Sequence, residues 1–169
     1  MQQKLFLTNP KGLKLAVLIQ RPAGSELFPV VVVLSAFIEY KEHPRLEALS
    51  NQLEKLGIGS IRFDPSGYGE SEGTVESDYR FSHFVVDAQL VFGYIENLDW
   101  VDKNSIGVYG DSMGGIQALI LARNNPQIKA VSVVSSPTIM GSTDDIKDKY
   151  SEWKKDGYQD RTSSRYGKI

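Results

Sequence analysis

Four consecutive valines, Val30 to Val33, run straight into Leu34 with no polar residue between them. A strand with one wet face alternates apolar and polar positions. An unbroken β-branched run therefore describes a strand covered on both faces, as in a parallel sheet. Parallel neighbours need crossover connections, and the chain supplies them. Arg45 to Leu56 carries Leu46, Leu49, Leu53 and Leu56 on one helical stripe, Gly57 closes that helix, and Ile58 to Phe63 reads as the next strand. The cycle repeats with a helix over Phe81 to Ile95, a strand over Ile106 to Tyr109, a helix over Met113 to Arg123 and a strand over Ala130 to Val134. Ahead of all this, Lys4 to Thr8 and Leu13 to Ile19 flank the reversal Asn9-Pro10-Lys11-Gly12, which predicts a β-hairpin. The expected fold class is α/β: a mostly parallel sheet with helices on both faces and an N-terminal antiparallel hairpin. Ligands of such sheets sit at the carboxyl ends of the strands, which directs attention to the loops beginning at Ser35, Asp64, Gly110 and Ser135.

Composition narrows the function classes. The 169 residues, 41% hydrophobic, suffice for one domain with a real core. With 19 basic and 21 acidic residues the net charge is −2, which gives no electrostatic case for nucleic acid or an anionic membrane as partner. The absence of cysteine removes disulfides, thiolate metal sites and a cysteine nucleophile, and fits a reducing compartment. Without an apolar run long enough to span a bilayer, or an apolar signal core, the chain reads as cytoplasmic. Gly67-Tyr68-Gly69 lacks the spacing of a dinucleotide fingerprint, so neither a cofactor nor a metal is expected. Asp64, at a strand end, reads as a structural residue that bonds the backbone of its glycine-rich loop.

The most specific signal is Gly110-Asp111-Ser112-Met113-Gly114-Gly115 between a strand and a helix. This is G-x-S-x-G in the context that holds a serine hydroxyl on a sharp, strained turn, and the Met113 N–H at the helix start points where an oxyanion develops. With Phe63-Asp64-Pro65-Ser66-Gly67-Tyr68-Gly69-Glu70-Ser71-Glu72-Gly73, and the loop Leu34 to Glu42, the chain resembles the α/β-hydrolase superfamily, in particular bacterial esterases and serine-aminopeptidase-like, prolyl-oligopeptidase-related enzymes. The likeness runs from about Leu13 to Pro137. It implies a serine carboxylester hydrolase that forms an acyl-enzyme on Ser112, with the backbone N–H groups of Phe37 and Met113 as oxyanion hole and a small ester or acyl compound as substrate. The resembling family begins the first of these loops with His-Gly, where this chain has Ser35-Ala36. Phe37 can equally be a hydrophobic plug between loop and core.

A serine hydroxyl needs a positioned base, and both histidines, His43 and His83, precede Ser112, whereas the resemblance puts acid and base after it. His43, amid Lys41, Glu42 and Arg45, is expected to face solvent, and His83 lies off the apolar stripe of its helix. The resemblance also implies two further strands and a cap, so the expectation is an incomplete hydrolase fold lacking the last two strands: a core over 1–140, and the start of a cap over 141–169. Such a chain is inactive or weak alone. The alternatives are a non-catalytic remnant or binding module, or half of a split hydrolase. The strand at 130–134 is then an apolar sheet edge that invites a homodimer or a complementing C-terminal chain.

Overall fold

In chain order the elements are β1 (Gln2–Thr8), β2 (Lys14–Gln20), β3 (Phe28–Leu34), α1 (Pro44–Lys55), β4 (Gly59–Phe63), α2 (Val75–Asp78), α3 (Phe81–Ile95), β5 (Val101–Asp111), α4 (Met113–Asn124) and β6 (Ile128–Val134). The structure, a computed structural model, describes residues 1–137 and two short strands, β7 (Thr162–Ser163) and β8 (Gly167–Lys168). The chain divides into two units, Met1–Ser136 and Pro137–Ile169. In the second, β7 and β8 pair antiparallel. The cap expected over 141–169 otherwise lies outside the described residues, as does the boundary at 140.

The valine run occupies the interior of a six-stranded sheet with strand order β1-β2-β4-β3-β5-β6. β4, β3, β5 and β6 are mutually parallel, as the unbroken run implies, while β1–β2 and β2–β4 are antiparallel. The expected hairpin is present. Asn9 Oδ1 accepts from the N–H groups of Lys11 and Leu13, and Gly12 takes the positive φ that closes the turn.

One face of the sheet is sealed. Val30, Val32 and Leu34 of β3 and Ile106 and Val108 of β5 pack with Ala88, Val91, Phe92 and Ile95 of α3 and with Ala118 and Leu121 of α4. The opposite face carries α1, which packs against β4 and leaves Val31 half-buried. Coverage of the valine run is therefore complete on one side only. On the α1 side, Val31, Leu49, Leu53, Tyr109 and Val131 line a groove of about 270 Å³. Leu46 of the predicted stripe is buried, but Leu56 is 74% exposed, because α1 ends at Lys55 and Gly57, at φ +73°, turns the chain away. Among the described strands β1 and β6 form the two edges, and Val131, Val133 and Val134 of β6 are each 42% exposed. No helix among the described residues is long and apolar enough to cross a membrane.

Candidate active site

Ser112 stands alone between the end of β5 and the start of α4, with φ 51° and ψ −115°. A non-glycine residue held there costs roughly 1–3 kcal/mol, so its surroundings must enforce it. They do so through the backbone: the Ser112 N–H donates to Val134 O at 2.8 Å, and its carbonyl accepts from the Gly115 N–H at 2.9 Å. The glycines remove the remaining obstacles. A Cβ on Gly110 would overlap the Gly114 carbonyl, one on Gly114 would overlap Leu34 O, and one on Gly115 would sit 2.6 Å from Ser136 Cβ. No side chain fits between the end of β3, the elbow-like turn and the segment after β6. The N–H of Met113, at the first position of α4, has no carbonyl to bond within its own helix and lies at the positive end of the helix dipole.

The loop after β3 makes a tight turn in which the Glu39 N–H donates to Ala36 O at 3.3 Å. Its positive φ falls on Ile38, at 57°, and not on Ala36, which stands where the resembling family has glycine. Three of the four amides in this turn are engaged: Ala36 N–H with Glu39 Oε2 at 3.3 Å, Ile38 N–H with the Tyr79 hydroxyl, and Glu39 N–H as above. Among the described residues the Phe37 N–H has no acceptor. Its ring is 39% exposed and packs against Tyr79 at 5.2 Å, so it lies over an aromatic cluster and is not a plug inside the core.

Beyond the turn, the loop is tied to the one that follows β4. Asp64 is wholly buried and accepts from the Lys41 N–H at 2.7 Å, the Glu70 N–H at 2.8 Å and Lys41 Nζ at 2.8 Å, the structural part expected of it. Carboxylate oxygens of Glu42, Asp64 and Glu70 lie within 4.8 Å of one another. The cation among them is the Lys41 ammonium, which pairs with all three. Burial pushes the Lys41 pKa down, but its bonds to Asp64 and Glu70 outweigh that and hold it above the usual lysine value. Glu70 is held down at about 2 by hydrogen bonds from Lys4 and Lys41.

A family model described as serine aminopeptidase, S33, matches residues 26–156. The chain belongs to this α/β-hydrolase family. Among its relatives, the quorum-quenching protein AidA of Acinetobacter baumannii is 25% identical over 123 residues, which are 73% of this chain and 40% of AidA. Esterase FrsA of Klebsiella pneumoniae is 26% identical over 141 residues, 82% of this chain and 32% of FrsA. The chain thus spans less than half the length of these relatives. Est1E of Butyrivibrio proteoclasticus, solved with ferulic acid bound, superposes with a TM-score of 0.69 at 25% identity, over 75% of this chain and 50% of Est1E. The α/β hydrolase GrgF of a Penicillium species gives 0.75 at 18% identity, over 95% of this chain and 57% of GrgF, a likeness of fold alone.

In this α/β hydrolase both histidines have local partners. His43 caps α1, its Nδ1 accepting from the Arg45 N–H at 3.4 Å, and its side chain is 23% exposed, so it faces solvent only in part. The His83 ring contacts Asp78 O at 2.8 Å and Lys11 Nζ at 2.6 Å. Beside the elbow-like turn, Arg45 bridges two acids: its guanidinium donates to Asp111, the residue before Ser112, and to Glu39 of the loop after β3. Nothing in the sequence singled out Lys41, Arg45 or Tyr79. Each acts on a residue between 6 and 66 positions away, a separation at which local pattern carries no signal.

Proposed function

We propose that this chain carries the nucleophile and oxyanion hole of a serine hydrolase acting on carboxylic esters or related acyl compounds. Ser112 Oγ attacks the acyl carbon as a base takes its proton. The carbonyl oxygen, now an oxyanion, is received by the N–H groups of Phe37 and Met113. Collapse of that adduct breaks the bond to the alcohol, which leaves with the proton, and water then releases the acid from acyl-Ser112. The observation that carries this reading is Ser112 held at φ 51° in a glycine-walled strand-to-helix turn, in a chain that also keeps an uncommitted amide at Phe37. A relative named as an esterase and a similar structure solved with ferulic acid bound support acyl chemistry as the reaction class.

The base and its orienting acid come, in this reading, from polypeptide outside these 169 residues, because both histidines precede Ser112 and are engaged elsewhere. The open edge of β6 is where that polypeptide adds to the sheet. Hydrolysis of p-nitrophenyl acetate by the purified chain, compared with Ser112→Ala, tests the reading, with labelling of Ser112 by a fluorophosphonate as second readout. A Ser112-dependent rate or label supports it. Equal rates with Ser112 still labelled fit a nucleophile whose base lies outside the chain, and equal rates with no label leave a binding module that keeps the fold without turnover.

A further inference from the structure

Ile38 is a β-branched residue at φ 57°, the third residue of a four-residue turn, where glycine or asparagine is the ordinary choice. Both of its backbone polar groups are held by tyrosine hydroxyls from a different part of the chain. Its N–H donates to Tyr79 Oη, and its carbonyl accepts from Tyr68 Oη at 2.7 Å. Those two side chains are themselves fixed. Tyr68 is 2% and Tyr79 8% exposed, their rings stand 4.8 Å apart, and Tyr79 packs on Phe84 at 4.6 Å. Tyr68 is directed by the glycines that flank it, both at positive φ, where a Cβ on Gly67 would overlap Thr74 O and one on Gly69 would overlap Asp64.

We propose that Tyr68 and Tyr79 form a clamp that holds Ile38 in the left-handed conformation and so turns the Phe37 N–H away from the loop's internal bonds. A peptide unit has two ends, and gripping both the N–H and the C=O of one residue fixes the orientation of the two peptide planes on either side of it. The preceding plane carries the Phe37 carbonyl; with the Ala36–Glu39 bond it leaves the Phe37 amide as the one unbonded N–H of the turn. The tyrosines supply what a glycine would supply by conformational freedom, and they are positioning residues, since neither is argued to touch substrate. That the freed amide serves an acyl oxygen rests on the proposed hydrolase reading. The clamp itself does not.

Crystal structures of Tyr79→Phe, Tyr68→Phe, Ile38→Gly and the double variant Ile38→Gly/Tyr79→Phe, with the rate of Ser112 phosphonylation by a fluorophosphonate in each, test the clamp. Phenylalanine keeps the ring packing and removes only the hydroxyl. Residue 38 is expected to leave positive φ in Tyr79→Phe and to keep it in the double variant, because glycine needs no clamp. Phosphonylation is expected to fall about 100-fold in Tyr79→Phe, the scale of losing one oxyanion donor, and to return to within about threefold in the double variant. A structural role in packing alone gives no such rescue. Retention of positive φ and of the free Phe37 amide in both tyrosine variants overturns the clamp. A wild-type chain that does not label bears on the hydrolase reading alone, while the backbone at residue 38 still decides the clamp. Should Tyr79→Phe not fold, Tyr68→Phe with its own glycine double decides it in the same way.

Discussion

The Arg45 guanidinium donates to the Asp111 carboxylate across 66 residues of sequence and fastens α1 to the residue that precedes Ser112. Asp111 is only 5% exposed, whereas Arg45 is 53% exposed, so the pair is screened from one side and desolvated from the other. Arg45→Met keeps the aliphatic stem and removes both donors, leaving an acid with little access to water. The expected cost is about 1–2 kcal/mol, the lower part of the range for an unsatisfied buried group, because water reaches the vacated position. Arg45→Lys restores charge but cannot reach Asp111 and Glu39 together, and should fall between the two. Urea midpoints of the three proteins measure this, and equal midpoints for wild type and Arg45→Met contradict it.

Two glycines should respond to alanine with opposite signs. At Gly114 a Cβ overlaps Leu34 O and stands 2.6 Å from Ser35 O, both backbone atoms that cannot swing aside. Gly114→Ala should therefore cost about 3 kcal/mol or more, the upper end for overpacking. Gly93, inside α3, has nothing within 4 Å of a Cβ. Gly93→Ala should stabilise by roughly 0.5–1 kcal/mol through the helix preference for alanine. Thermal unfolding of the two variants beside wild type gives both signs in one experiment.

The contrast marks how far local pattern reaches in this chain. Val30 to Val33, the leucine stripe of α1 and the glycines around Ser112 announce strand, helix and turn because backbone geometry acts within a few residues, and the observed elements follow them. Helix α2 has no signature in the sequence, since four residues capped by Thr74 leave no periodicity. The loop after β3 was legible only in part. Lys41 and Glu42 look like a solvated charged stretch, yet Lys41 is wholly buried because Asp64 and Glu70 meet it from the next crossover. Positive φ at Ile38 was equally hidden, since the hydroxyls that hold it belong to residues 30 and 41 positions away.

Acid should weaken the tie between these loops through Glu70. Its pKa is about 2 in the folded chain against an ordinary 4.5, so the folded state favours the carboxylate. A depressed folded pKa gives stability that is fully present above the unfolded value and is lost as pH falls from about 4.5 towards 2. Glu70→Gln removes that dependence. The stability difference between wild type and Glu70→Gln should be largest at neutral pH and shrink across this interval, and salt should reduce it because Glu70 and Lys4 are partly exposed. Urea titrations at a series of pH values read it directly, and a difference that stays constant from neutral pH down to 2.5 argues that Glu70 does not carry the effect.

The edge strand β6 makes the last prediction. A parallel strand with no partner on its outer side among the described strands, and with Val131, Val133 and Val134 each 42% exposed, is a template for another strand. Ala130 of the same strand borders the groove lined by Leu49 and Leu53, so the apolar surface continues from the edge onto the sheet face. The purified chain should therefore self-associate with rising concentration. Val131→Lys with Val133→Lys should lower that association, since lysine on an edge resists pairing by charge and hydration. Light scattering behind size exclusion, over a tenfold range of concentration, compares the two proteins. A wild-type chain that stays monomeric throughout rules out pairing of copies through β6. Association unaffected by the two lysines places the contact elsewhere.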